Sequence, residues 1–265
     1  MKIYVISIHG SMRRKNIVKN FEKYSIDFEF FDAVDGRKLS DSQIKDLYDD
    51  NKAKQLAFKL TRAQVGCALS HKALYQKMVS ENIPEMLVFE DDVFIDENIE
   101  LFLNTYKNFK PKNVDIILLG SVSVCRKFLR TQKFFSWLML KKLPFKVNNT
   151  TCRMGKSYAS SGGAHAYYIT KQGAQKMIDL NSPKVCYVAD MITGDIIVSG
   201  HNLYVIFPNI VGLQDVDSEI GVDYNIYIKS NKLKFSKFCR MLMIKFNFFL
   251  NFMINYKTKK QHNDK

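Results

Sequence analysis

The chain has no Cys-x-x-Cys pair. Its five cysteines (Cys67, Cys125, Cys152, Cys186 and Cys239) are an odd number at wide, irregular spacings. That excludes a zinc ribbon and a disulfide framework and reads as free thiols in a reducing compartment. No internal repeat is visible. The opening MKIYVISIHG carries one Lys and an apolar run too short for a signal peptide, and no small-residue cleavage site follows. It reads as a first buried strand. The Asn-x-Thr sequons at Asn148 and Asn149 carry no meaning in a cytoplasmic chain.

What is present is the material of a globular domain. With 46% hydrophobic and 25% charged residues over 265 positions, one large domain or two small ones can bury a core. Disordered chains, collagen and disulfide-stapled miniproteins are excluded. The formal charge of +14 points to a polyanionic partner, but it is unevenly spread. Seven basic residues and no acid lie between Arg126 and Lys146, and ten with one acid (Asp264) lie between Lys229 and Lys265, which leaves −2 for the rest. The body is near neutral and two segments carry the basicity.

Hydrophobic periodicity predicts strands at Ile3–Ile8, Phe28–Ala33, Met86–Phe89, Asp115–Leu119, Ala164–Ile169 and Leu203–Phe207. Helices are predicted between them. Ser11 caps one that carries Ile17, Val18 and Phe21, and Ser40 with Gln43 boxes another running towards Leu56. Thr61 with Gln64 opens a long one bearing Val65, Leu69, Leu74 and Met78, and Gln172–Leu180 is the last. Unbroken apolar strands alternating with helices imply an α/β domain with a largely parallel sheet.

The strongest chemical signal is Leu-Val-Phe-Glu-Asp-Asp-Val-Phe at 87–94. Three carboxylates cannot sit inside a core strand, so they lie at its end, where open α/β sheets bind ligands. In extended backbone Glu90 and Asp92 face one side and Asp91 the other, offering hard oxygens to Mn²⁺ or Mg²⁺. The bland alternative is a solvated acidic turn. Cys67 and His71 stand i,i+4 on one helix face and can in principle ligate a metal, although a packed thiol and a hydrogen-bonded imidazole read more simply. Ser160 to Ala164 is a Gly-Gly turn before a strand, suited to meeting sugar hydroxyls or phosphate. Asp190 and Asp195 each follow a short run and are general-base candidates, with N-cap or loop carboxylate as the plain reading.

Taken in order, these stretches resemble glycosyltransferase family 25, the lipooligosaccharide-type β-galactosyl- and glucosyltransferases. The resemblance is carried by Ile3–Ile8 with Arg13 and Arg14, by Phe30 to Gly36 (FFDAVDG), by Gly66 to His71 (GCALSH) and by Val88 to Val93 (VFEDDV). Gly163-Ala164 through Ile169, Gly173-Ala174, Asp190, and Pro208 through Gln214 to Ile220 extend it to about residue 220. It implies a GT-A fold, Rossmann-like with a mostly parallel sheet flanked by helices, a UDP-hexose donor, Mn²⁺ or Mg²⁺, and inversion at the anomeric carbon. It implies a catalytic base at Asp190. Metal ligands fall at Asp92, Glu90 and, more weakly, Gln214; His201, a nearby alternative, precedes its strand and is expected at the far edge. The nucleotide-sugar site would draw on Ser7, Arg13, Arg14, Asp32, Gly36, Ser70, His71, Glu90, Asp91 and Gly163. The stretch from Arg126 to Lys146 is more basic and aromatic than the family pattern, so acceptor identity does not carry over.

The organisation expected is a catalytic domain at 1–225 and a basic tail at 226–265. The domain divides into a nucleotide-sugar half to about residue 120 and an acceptor half with the basic insertion 126–147. Phe235–Tyr256 has no Gly or Pro, and as a helix it presents a broad apolar arc beside basic residues, with Lys237, Arg240, Phe246 and Phe249 as membrane contacts. Its longest charge-free run, Phe246–Tyr256, falls short of the ~20 residues a span requires. The tail is therefore expected to lie on an anionic surface, placing the protein peripherally on the cytoplasmic face of a bacterial inner membrane beside a lipid-linked oligosaccharide acceptor. Packing of this helix on the protein's own core is the alternative. No nucleic-acid partner is expected, because the basic residues accompany an apolar face and not a recognisable module. A nucleic-acid-binding protein and a metal-dependent phosphohydrolase using the acidic triplet remain the competing classes.

Overall fold

A computed structural model describes residues 1–55, 59–120, 141–147, 150–157, 162–194 and 200–213, all within one compact unit, Met1–Asp217. Gln214, Lys237, Arg240, Phe246, Phe249, Asp195, the tail at 226–265 and most of the basic insertion lie outside the described residues.

The first strand sets the layering. In β1 (Lys2–Ser7) alternate residues face opposite sides of the sheet. Ile3 and Val5 pack with Ile17 and Phe21 of α1 (Arg13–Glu22) and with Ile99, Phe102, Tyr106 and Phe109 of α5 (Glu97–Phe109). Tyr4 and Ile6 pack on the other side with Leu74, Tyr75 and Met78 of α4 (Arg62–Ser80), Ala174 and Met177 of α6 (Lys171–Leu180), and Ile192 of α7 (Ala189–Gly194). Each such side chain contributes about 1.5–3 kcal/mol by leaving water.

The sheet has eight strands, in the order β2 (Glu29–Asp32), β1, β3 (Glu85–Glu90), β8 (Ala166–Thr170), β5 (Ile116–Leu118), β9 (Leu203–Phe207), β7 (Thr150–Lys156), β6 (Lys141–Val147). Six run in one direction; β8 and β7 run against them. This is the mostly parallel, helix-flanked α/β architecture expected. Strands from before and after residue 120 share the one sheet, since β8 inserts between β3 and β5. A small ribbon pairs β4 (Val93–Ile95) with β10 (Val211–Leu213).

Two predicted caps are present. Thr61 and Gln64 exchange both bonds of a capping box at the start of α4, and Ser40 and Gln43 do so at α2 (Asp41–Leu47). The helix expected to run to Leu56 instead stops at Tyr48 and resumes as α3 (Asp50–Gln55). Tyr48 is extended and bridges Val185, and its buried hydroxyl accepts from the Leu60 amide at 3.1 Å, so a tertiary anchor overrides local propensity. Ser11 is not the cap of α1: Met12 holds the N-cap position without a side-chain bond, and Ser11, one residue earlier, accepts from the Arg13 amide at 3.2 Å. The β6–β7 hairpin went unforeseen because Pro144 and a run of lysines mask β6. That strand lies at the sheet's edge, with a bulge between Lys142 and Lys146, where a missing N–H is tolerated. No helix among the described residues is long and apolar enough to cross a membrane.

Candidate active site

The parallel strands β1, β2 and β3 end together, at Ser7, Asp32 and Glu90. Because β8 runs the other way, its beginning reaches the same edge, and the Glu90 amide donates to the His165 carbonyl at 2.8 Å. Four carboxylates gather here: Glu90, Asp91, Asp92 and Asp190.

Glu90 continues the face of Met86 and Val88 towards α4. His71 Nε2 lies 3.1 Å from its Oε1, and Cys67 Sγ donates to the same oxygen at 3.9 Å. Burial alone would raise the Glu90 pKa, but the hydrogen bond and charge of His71, with His165 and Arg13 behind them, hold it below the usual carboxylate value. His71 is fully buried. Its Nδ1 is 2.8 Å from the Tyr167 hydroxyl, which is 2.7 Å from that of Tyr75. With Glu90 ionised, Nε2 carries a proton towards it, and the Tyr167 hydroxyl donates to a bare Nδ1 or accepts from a protonated one.

Asp91 lies, with Asp92, in the turn that follows β3 and not in the extended backbone expected. It accepts from the buried Ser7 hydroxyl at 2.6 Å and from Arg13 Nη1 at 3.3 Å. Asp92 lies 3.9 Å from the same guanidinium. Its pKa is pushed up to about 7, first by burial and then by the Glu90 charge. Among the described residues its Oδ1 is buried without a hydrogen-bond partner. An orphaned anionic oxygen inside a ring of like charges is what a divalent cation would relieve, and carboxylate oxygens are the donors Mn²⁺ and Mg²⁺ prefer. Glu90 and Asp92 therefore fit the metal that the family resemblance implies.

Asp190 begins α7. Its Oδ1 accepts from the Ala164 amide at 2.6 Å, and the Gly163 amide also bonds it. Solvent reaches the carboxylate, yet protein atoms crowd it from several sides, and that burial with the Glu90 charge raises its pKa. Gly163 has φ +107°, a conformation that side-chain-bearing residues rarely adopt, and this turns the amides of 163 and 164 towards the aspartate.

On the β2 side, Arg14 forms an ion pair with Asp32, donates to the Ser7 carbonyl at 2.8 Å and stacks 4.6 Å from the centre of the Phe30 ring. Arg14 holds the Asp32 pKa below normal. Gly36 and Ser70 face the protein. Ser70 Oγ accepts from the Val34 amide at 2.8 Å and donates to the Gly66 carbonyl at 2.7 Å. A Cβ on Gly36 would come within 1.8 Å of the Arg62 carbonyl oxygen and 2.8 Å of the Gly66 amide nitrogen. These residues, with His71, form the wall that holds the cluster.

His165 was missed. It is buried, burial lowers its pKa, and it lies beside the acids. The one signal for it is its place directly after Gly162-Gly163-Ala164, and that matters only once β8 is known to run backwards. His201 lies at the opposite edge, buried against Met177 and under the influence of Asp115, as its position before β9 implied. A hollow of about 460 Å³ lined by Asn82, Pro84, Lys112 and Thr170 is also at that far edge, away from the carboxylates.

The profile described as glycosyltransferase family 25 (LPS biosynthesis protein) matches residues 1–193. A lipooligosaccharide biosynthesis protein lic2B of Haemophilus influenzae is 41% identical over 101 residues, 38% of this chain and 36% of that protein. A glycosyltransferase 25 family member of Aedes aegypti is 39% identical over 99 residues, 34% of this chain and 16% of that protein. The chain thus matches little more than a third, or less, of the length of these two relatives. The lipooligosaccharide biosynthesis protein lex-1 of Haemophilus influenzae is 26% identical over 244 residues, with 78% of this chain and 74% of that protein covered. With its profile spanning nearly three-quarters of the sequence, the chain belongs to glycosyltransferase family 25.

Proposed function

We propose that the protein transfers a hexose, galactose in first place and glucose next, from a UDP-sugar to a lipooligosaccharide or lipopolysaccharide core saccharide, with inversion and with Mn²⁺ or Mg²⁺ bound. The family description and the names of the Haemophilus relatives support the substrate class. The carrying observation is the buried Asp92 Oδ1, unpartnered among the described residues, beside Glu90 at the carboxyl edge of the sheet. Glu90 and Asp92 would hold the cation, with Gln214 as a further candidate ligand. Its charge would offset the negative charge that develops on the diphosphate as UDP leaves.

The remaining steps belong to the chain's own residues. Arg13 and Arg14 offer guanidinium groups to the donor's phosphates or base. Asp190, raised in pKa and oriented by two backbone amides, takes the proton from the acceptor hydroxyl on the face opposite the leaving group. In this reading the basic segment at 226–265, through Lys237, Arg240, Phe246 and Phe249, rests on anionic lipid at the cytoplasmic face of the inner membrane and brings the enzyme to a lipid-linked acceptor. Family membership favours transfer over the nucleic-acid reading.

The test measures UDP release from UDP-Gal, UDP-Glc and UDP-GlcNAc, with and without Mn²⁺, in the presence of a core oligosaccharide. Metal-dependent release that Asp92→Ala abolishes is expected. Full activity in Asp92→Ala overturns the metal assignment, and phosphate release from nucleotide without any acceptor favours a phosphohydrolase.

A further inference from the structure

Cys67 and His71 are the neighbours of Glu90 that a hard cation would not use. Cys67 Sγ, His71 Nε2 and a Glu90 oxygen all lie within 4.8 Å of one another. The nitrogen-to-oxygen distance is 3.1 Å and the sulfur-to-oxygen distance 3.9 Å. Tetrahedral zinc with ordinary bond lengths has edges of about 3.4 Å between N and O and about 3.6 Å between S and O, so these two edges are each within about 0.3 Å of that geometry. Cys67 and His71 are one turn apart on the same face of α4, a 19-residue helix whose first turn is fixed by a capping box. The outer support is present as well, because His71 Nδ1 is held by the Tyr167 hydroxyl at 2.8 Å, with Tyr75 behind it. Metal-binding imidazoles are usually oriented through their second nitrogen in this way. Tyr167 can accept as readily as it donates, so Nε2 can become the bare, ligating nitrogen.

We infer that Cys67, His71 and Glu90 form a site for a borderline-soft divalent cation of the zinc class, and that such a cation displaces the hard cation by taking their common ligand, Glu90. Sulfur and imidazole donors select this class over Mn²⁺ and Mg²⁺, which prefer oxygen. The Cys67 proton passes to solvent as the thiolate ligates. A fourth position stays available for water or an anionic oxygen. The displacement rests on the proposed role of Glu90 towards the hard cation, whereas the soft site stands on the three side chains alone.

Two measurements on the full chain separate these. Co²⁺ added as a zinc surrogate is expected to give a near-ultraviolet thiolate-to-cobalt charge-transfer band that Cys67→Ser removes. In the second, bound Mn²⁺ is followed by electron paramagnetic resonance during a Zn²⁺ titration. About one equivalent of Zn²⁺ releases Mn²⁺ from the wild type. Cys67→Ser needs over ~100-fold more, beyond the 10–100-fold that loss of an outer-shell partner causes. Cys67→Ala is the second variant, and retained Mn²⁺ binding shows that either variant is folded. A cobalt band unchanged in Cys67→Ser overturns the soft site; equal Zn²⁺ sensitivity in both proteins, or simultaneous binding of both metals, overturns the displacement. If Mn²⁺ fails to bind the wild type at all, the hard-cation reading and the displacement fall together, and the cobalt band still decides the soft site.

Discussion

His71, in the middle of a long helix, points its Nε2 at Glu90, the last residue of the third strand, across 3.1 Å. That contact couples the two layers of the domain at the point where its acids collect. Glu90 would otherwise be a half-buried carboxylate beside three others, and the imidazole keeps it ionised. The imidazole is itself held from behind by Tyr167, on the strand that runs backwards through the sheet.

Tyr167→Phe removes the hydroxyl 2.8 Å from His71 Nδ1 and leaves that buried nitrogen only the longer contact to the Tyr75 hydroxyl at 3.5 Å. The expected cost is about 1–3 kcal/mol of stability by denaturant unfolding. Mn²⁺ affinity should drop 10- to 100-fold through the loosened His71–Glu90 pair, as read by calorimetry. A stability loss with unchanged metal affinity would make Tyr167 a packing residue only.

Asp190→Asn keeps the shape of the carboxylate but cannot accept a proton. Turnover should fall by about 10²–10⁴-fold while Mn²⁺ and UDP binding persist. The check is a pair of assays on one preparation, steady-state UDP release and calorimetric binding. Near-wild-type turnover would remove Asp190 from the base role.

Glu85, at the start of β3 and far from the acids, accepts from Tyr106 (2.5 Å), Tyr168 (2.6 Å) and Lys110 (2.5 Å). Burial by itself would raise its pKa, but these donors hold it at about 2 against an ordinary 4.5. A depressed folded-state pKa means that the ionised group stabilises the fold above pH 4.5 and that the contribution is lost as pH falls towards 2. The full contribution is on the order of 3 kcal/mol. Unfolding curves of wild type and Glu85→Gln should therefore differ most near neutrality and converge across that acid window; a constant gap between them would refute the linkage.

Gly36→Ala puts a methyl 1.8 Å from the Arg62 carbonyl oxygen, where no flexible side chain can move aside. Overpacking of this kind costs about 1–3 kcal/mol or more, since helix α4 must shift. Because α4 carries Cys67, Ser70 and His71, reduced metal affinity should accompany the lower unfolding midpoint.

Much of this domain is legible in one dimension. The runs Ile3–Ile8, Met86–Phe89 and Leu203–Phe207 are strands to within a residue or two, and both capping boxes close as their spacing implies. An apolar strand ending in three acids can stand only with those acids at the sheet's edge, and they are there. Hydrophobic period, caps and the cost of burying charge are local properties, so neighbouring residues suffice to state them.

Partnership across the fold is a different matter. No local pattern tells which way β8 runs, yet its reversal is what brings Ala164, His165 and the amides that hold Asp190 to the edge where β1 and β3 end. The three-residue strands β4 and β10 are too short to show a period, and Pro144 disguises β6. The amino-acid order by itself determined six of the eight strands of the sheet, the two capping boxes and the acids that must end a strand. Only the packed structure decided which imidazole meets which carboxylate and which oxygen is left without a partner, because those distances depend on sheet direction and helix seating, summed over residues far apart in the chain.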